Sequence, residues 1–247
     1  MGADDVVLDA PRDRTQPKPK PVDRPRPATP AAPVLAAPTA TVPQSAMLAG
    51  ANELAAAAKD LAALRIAVES FDGCSLRRTA THTVFADGNP DAPLMLIGEA
   101  PGADEDRIGL PFVGRSGQLL DRMLATIGVR RAENAYITNV LFWRPPGNRK
   151  PTPEETAICL PFVWRHIALK RPKIVVLCGG TATATLLNRN DGITRLRGRW
   201  LDLMVPDLGP VPALATYHPS FLLRAPAHKS ESWRDLLAIQ SRMNSDK

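Results

Sequence analysis

The sequence predicts an α/β fold: a single domain around a central four-stranded parallel sheet, with helices on both faces, preceded by a disordered tail. Three observations carry this. Four short, nearly unbroken apolar runs recur along the chain: APLMLIGEA (92–100), AYITNVLF (135–142), KIVVLCGG (173–180) and VPALATY (211–217). Segments of helical periodicity lie between and after them. Strands that are apolar on both sides need cover on both faces, which parallel strands joined by helical crossovers supply. Ahead of all this, the composition shifts to Pro, Ala, Lys and Arg.

The elements follow in order. Residues 1 to about 45, with QPKPKPVDRPRPATPAAP at their centre, bury too little apolar surface to offset their ordering entropy. Such a tail is a solvated tether or a basic arm for a polyanion. Over 46–70, Leu54, Ala58, Leu61 and Val68 recur near helical spacing, so an N-terminal helix is expected there. From 71 to 247 strands and helices alternate as the main domain. A helix over 116–127 turns Leu119, Leu120, Met123, Leu124 and Ile127 inward. Thr152, Pro153 and Glu155 spell a helix start: an N-cap, a first-turn proline and the partner of a capping box. A short helix begins at Thr181, and SESWRDLLAIQSRM forms a last amphipathic one.

Composition bounds the function. Net charge is +6, which suits a polyanionic partner. No run of about 18 apolar residues occurs, so no membrane span is expected. The start MGADDVVLDAPRD carries acids where a secretory signal has bases, so a cytoplasmic or nucleoid-associated monomer is expected. Cys74, Cys159 and Cys178 are too few for a disulfide framework.

Unusual residues gather at the strand ends, where open α/β sheets bind ligands. After the first run come Gly98-Glu99-Ala100-Pro101-Gly102-Ala103-Asp104-Glu105-Asp106 and then GLPFVG (109–114). This is no Walker A loop, because no Gly-Lys-Ser/Thr follows. After the second run stand Thr138 and Asn139, then Arg144 to Arg149; after the fourth stand His218-Pro219-Ser220. An Asn, a His, two Glu and a Phe at three strand ends converge on one crevice.

The stretch from Gly98 to Asp106, with GLPFVGRSGQLLDRML, resembles the first motif of family 4 uracil-DNA glycosylases. TNVLFWRPPGNRKPTPEE, GGTATATLL with GITRLRGRW, and TYHPSFLLR resemble that family's later motifs in the same order, from about Phe71 to Met243. The resemblance implies that family's fold and a monofunctional glycosylase that releases uracil from DNA and starts base-excision repair. It implies a flipped uracil stacked on Phe112, with Asn139 on its Watson–Crick edge and His218 donating to O2. Glu105 would crowd uracil C5 and hold a water, while Glu99 and the backbone at Ala100 finish the pocket. Where a better-known family of the superfamily has a water-orienting Asp, this chain has Ala100, so the water's partner is left between Glu99 and Glu105. Arg144, Asn148, Ser220, Leu222 and Arg224 would touch DNA, with Leu222 filling the gap left by the base. No lysine is placed for Schiff-base chemistry, so no lyase step is expected.

The chain departs from the family at its iron–sulfur cluster. The four ligand positions read Phe71, Cys74, Trp143 and Cys159, so no cofactor is expected, and the two rings are expected to fill the space. Asp72 or His82 as unusual ligands is the alternative, and Cys178 reads as a core residue. Two other functions compete: a DNA-damage binding module with little turnover, and a nucleotide-binding regulator sharing only the sheet. Keeping Glu99, Glu105, Asn139 and His218 together favours the enzyme.

Overall fold

The computed structural model describes residues 44–245. The expected tail lies outside the described residues. Among those residues, the strands are β1 (Asp87–Gly88), β2 (Leu94–Gly98), β3 (Ala135–Asn139), β4 (Ile174–Cys178), β5 (Trp200–Val205) and β6 (Gly209–Thr216). The helices are α1 (Gln44–Ala57), α2 (Leu61–Ser70), α3 (Ala103–Ile108), α4 (Arg115–Ala125), α5 (Arg131–Asn134), α6 (Pro153–Lys170), α7 (Gly180–Leu187), α8 (Ile193–Leu196), α9 (Pro219–Arg224) and α10 (Lys229–Ser245).

The strands form one sheet in the order β1-β3-β2-β4-β6-β5. Its four central strands, β3, β2, β4 and β6, are parallel and are the four apolar runs of the sequence. The edge strands β1 and β5 run antiparallel and extend the expected four-stranded sheet to six. Successive side chains of a strand point to opposite faces, and both faces are buried here. Met95, Ile97, Val175 and Leu177 pack into one core with Leu64, Val68, Phe162 and Ile167 of α2 and α6. Leu94, Leu96, Ile174, Val176 and Cys178 pack into the other with Leu120, Leu124, Leu236 and Ile239 of α4 and α10. Burial pushes the Cys178 thiol up to about 12, as for an inert core residue.

The expected helix over 46–70 is two helices. The chain breaks at Ala58–Asp60, and the Asp60 carboxylate accepts from Ala63 N–H at 2.7 Å to cap α2. The break changes the phase of the apolar stripe. Ala51 and Ala55 face the core, whereas Leu54 points to solvent. The start of α6 is as expected: Thr152 Oγ1 accepts from Glu155 N–H, and Glu155 accepts from Thr152 N–H at 2.9 Å.

Register places the site. Gly98 pairs with Asn139 where β2 and β3 end, and Cys178 pairs with Thr216 where β4 and β6 end. Glu99, Asn139, Gly179 and His218 thus emerge together at the carboxyl edge of the parallel strands.

Candidate active site

A crevice of about 980 Å³ opens at that edge, lined by Glu99, Ala100, Glu105, Phe112, Asn139 and His218 among others. Asn148, Ser220 and Arg224 lie on it as well.

Phe112 is held in a conformation that costs energy. Its φ is +53°, in the left-handed region that side chains disfavour. Arg131 holds it there, donating to the carbonyls of Pro111 at 2.7 Å and Phe112 at 2.6 Å. The Arg131 guanidinium is itself fixed by Asp87 and Asp121. Gly117 lets the turn close, since a Cβ there would overlap the Phe112 carbonyl. The Phe112 ring, only 4% exposed, stacks against His218 with centroids 5.4 Å apart. A Cβ on Gly98 would lie 2.5 Å from the Phe112 ring and closer still to Asn139 Oδ1. Glycine at the end of β2 therefore lets the ring and the amide approach the strand. Asn139 is 2% exposed and lines the crevice.

His218 caps α9. The Ser220 N–H donates to its Nδ1 at 3.1 Å, and Ser220 Oγ lies 2.8 Å from the same nitrogen. With Nδ1 accepting, the neutral ring carries its proton on Nε2. Burial, helped by Arg224, lowers the His218 pKa to about 4, so the ring is neutral at pH 7. Gly179, at φ +98°, allows the strand end to lie against His218.

Glu105 is buried, and its carboxylate is already engaged. Oε1 accepts from Val113 N–H at 3.0 Å and Gly114 N–H at 2.9 Å, and Oε2 from Gly102 N–H at 3.1 Å. It fastens the Gly102 turn to the Phe112 turn and fills three of its roughly four lone-pair sites. Glu99 is half-buried on the crevice wall and tied down through its backbone carbonyl, which accepts from Leu141 N–H.

On the loops expected to touch DNA, Arg144 donates to Asn148 Oδ1 at 2.8 Å, and Arg224 is exposed. Leu222 is a correction. It is 0% exposed, packed against Leu119 and Tyr217, and cannot enter a duplex without unfolding that cluster. The neighbouring Leu223 is the exposed apolar side chain of α9, at 37%. Lys150 also lies on the crevice lining.

Sequence reading missed Arg131, whose partners lie 10 to 44 residues away and leave no local pattern. It also missed the network under His218. Asp235 accepts from Thr216 Oγ1 at 2.7 Å and pairs with Arg197, while Tyr217 donates to Glu231 at 3.0 Å.

The four positions of the expected iron–sulfur ligands do come together in one core. The Phe71 ring meets Phe162 edge-on at 5.2 Å, and Trp143, 1% exposed, donates from Nε1 to Thr83 Oγ1 at 3.0 Å. Cys74 and Cys159 are both buried, and the neighbouring Cys159 thiol holds the Cys74 pKa below its usual value. Two thiols and two packed rings do not fit a four-thiolate cluster. Among the described residues, no group of three or more His, Cys, Asp or Glu is placed to hold a metal ion.

An α/β sheet whose carboxyl edge holds a crevice walled by a ring, an amide and a neutral imidazole fits a class of enzymes that recognise a planar base. The chain belongs to the uracil DNA glycosylase superfamily, whose family model matches residues 85–237. It is 41% identical over 158 residues to the type-4 uracil-DNA glycosylase of Thermotoga maritima, covering 64% of this chain and 80% of the relative. It is 42% identical over 171 residues to the type-4 enzyme of Archaeoglobus fulgidus, covering 67% and 84%. With that of Pyrobaculum aerophilum the identity is 35% over 181 residues, covering 72% and 91%.

Proposed function

We propose that the chain hydrolyses the N-glycosidic bond of deoxyuridine in DNA, releasing uracil and leaving an abasic site for base-excision repair. A base in a duplex must leave the stack before its glycosidic bond can be reached. The extruded uracil stacks on Phe112, and the Asn139 amide pairs with its N3–H and O4. As the C1′–N1 bond breaks, its electron pair moves onto uracil and the sugar becomes oxocarbenium-like. His218 Nε2–H, donating to O2, stabilises the anion, and a water adds to C1′. With most of the Glu105 carboxylate occupied by backbone donors, Glu99 is the better placed partner for that water. Glu105 then acts by holding the Phe112 turn in place.

The observation that carries this reading is the Ser220–His218 contact. It commits Nδ1 as an acceptor and leaves a neutral Nε2–H donor on a crevice-lining residue. Preorganised donors of this kind are the main stabilisation of a developing anion. On the DNA side, the exposed Leu223 takes the wedge role, flanked by Arg224. The enzyme works as a monomer on uracil-containing DNA, without a cofactor and without a lyase step.

The test is incubation with an oligonucleotide carrying one deoxyuridine, followed by alkali. Cleavage only after alkali is expected, with no borohydride-trapped adduct at Lys150. No alkali-labile site would leave the binding module as the function, and a trapped adduct would make the enzyme a lyase.

A further inference from the structure

A second cavity, of about 350 Å³, lies outside the base crevice, where Trp143 meets the short turn that follows Cys74. Its walls carry Arg77, Arg78, Thr81, His82 and Thr83. Residues Ser75–Arg78 form one turn of 3-10 helix that starts at buried Cys74 and ends on the two arginines. Neither arginine forms a salt bridge among the described residues, in contrast to Arg131, Arg149 and Arg197.

The carboxylates nearby form no ion pair with them among the described residues. Asp106 is buried, and its oxygens accept from Thr81 N–H at 2.7 Å, Thr81 Oγ1 at 3.1 Å and His82 N–H at 3.2 Å. On the cavity wall itself two arginines face one carboxylate, Asp72, while Asp106 lies behind the Thr81–His82 turn. One hydroxyl beside the arginines is set as a donor. Thr83 Oγ1 accepts from Trp143 Nε1, so its own hydroxyl proton is free to donate. His82 Nδ1 bonds the Asp106 carbonyl at 2.7 Å and must be the donor there. Such a site selects an oxyanion with several acceptor oxygens, and guanidinium groups favour phosphate.

Two short chain segments join this cavity to the crevice. Trp143 lines the cavity, and Pro145, two residues on, lines the crevice. Glu105 lines the crevice, while Asp106 organises the cavity's Thr81–His82 turn. The two cavities are therefore neighbours along the chain at two places.

We propose that the Arg77–Arg78 cavity binds a backbone phosphate of the DNA engaged at the crevice, extending the footprint beyond the extruded nucleotide. The inference rests on the uracil-excision reading for its ligand. Trp143 then has two jobs: it fills the core where the family's cluster would lie, and it floors an anion site.

The test uses the full chain and a duplex of about 30 base pairs carrying a tetrahydrofuran abasic analogue, with affinity measured by anisotropy at several salt concentrations. Arg77→Gln/Arg78→Gln should lower the slope of log affinity against log salt by about 1–2, since each lost phosphate contact removes about 0.9. Arg77→Lys/Arg78→Lys should keep the slope. Saturating single-turnover excision of uracil should be unchanged in both. If the double variant misfolds, the exposed single change Arg78→Gln carries the test, with an expected fall of about 1. A wild-type slope in the Gln variants overturns the proposal. Wild-type uracil release, measured alongside, separates the two ideas. Its absence sinks the excision reading, whereas equal slopes with normal release sink only the phosphate site.

Discussion

Replacing Gly98 with Ala perturbs the base pocket through a single methyl group. The residue ends β2, and its φ is not in the left-handed region, so alanine meets no backbone strain there. The added Cβ would instead lie 2.5 Å from the Phe112 ring and nearer to Asn139 Oδ1, well inside van der Waals contact. Neither neighbour can yield freely. Arg131 and Gly117 hold the Phe112 backbone, and Asn139 is locked in register as the last residue of β3. Overpacking of this kind costs about 1–3 kcal/mol. Alanine returns about 0.4–1 kcal/mol by restricting the unfolded chain. The net loss of at most about 2.5 kcal/mol lowers the melting temperature by less than about 10 °C in a domain of this size. The effect on rate is larger, because a displacement near 1 Å of groups that grip the base costs on the order of 10²-fold. Single-turnover excision, with a thermal melt on the same sample, measures both. A Gly98→Ala protein that melts normally and excises uracil at the wild-type rate would refute the placement of Phe112 and Asn139 around the base.

Other outcomes follow from the same geometry. Nitrogen NMR of His218 should show the Nε2–H tautomer at pH 7 and a titration near 4, and a midpoint near 6.5 would contradict the buried capping geometry. His218 and His166, the latter lowered to about 3 by burial, both bind protons less readily folded than unfolded. Stability should therefore fall as pH drops below about 6.5 and go on falling toward those values, which acid-titrated melts can follow. Leu223→Ala should slow excision from duplex DNA more than from single strands. Leu222→Ala should instead cost about 2–5 kcal/mol of stability and slow both substrates alike. Trp143→Ala should destabilise by about 3–5 kcal/mol, and the purified protein should hold no iron; stoichiometric iron would overturn the aromatic-core account.

What the sequence made legible were features written in short range. The four parallel strands stand out because both faces are apolar, and the α6 cap because Thr152, Pro153 and Glu155 fall within four residues. The edge strands do not stand out. Two residues suffice for β1, and WLDLMV in β5 alternates because only one side meets the core. Asn139 and His218 could be picked because each closes an apolar run. The choice between Leu222 and Leu223 could not be made, since adjacent leucines on a six-residue helix differ only in which side Leu119 and Tyr217 occupy. Glu105 shows a similar limit. A conspicuous acid in a polar loop reads as chemistry, and nothing local shows that its carboxylate also accepts from the backbone of Gly102, Val113 and Gly114.

The central claim is that Asn139 reads uracil in a pocket that breaks its glycosidic bond. The direct measurement is free uracil released from a duplex with one deoxyuridine, in a single turnover, by the wild type and by Asn139→Asp. The wild type should release one uracil per duplex and none from a thymine control. Asn139→Asp should be slower by on the order of 10²-fold or more, as for removal of one well-placed polar partner. Equal release by both proteins, or binding by the wild type with no uracil released, would contradict the account.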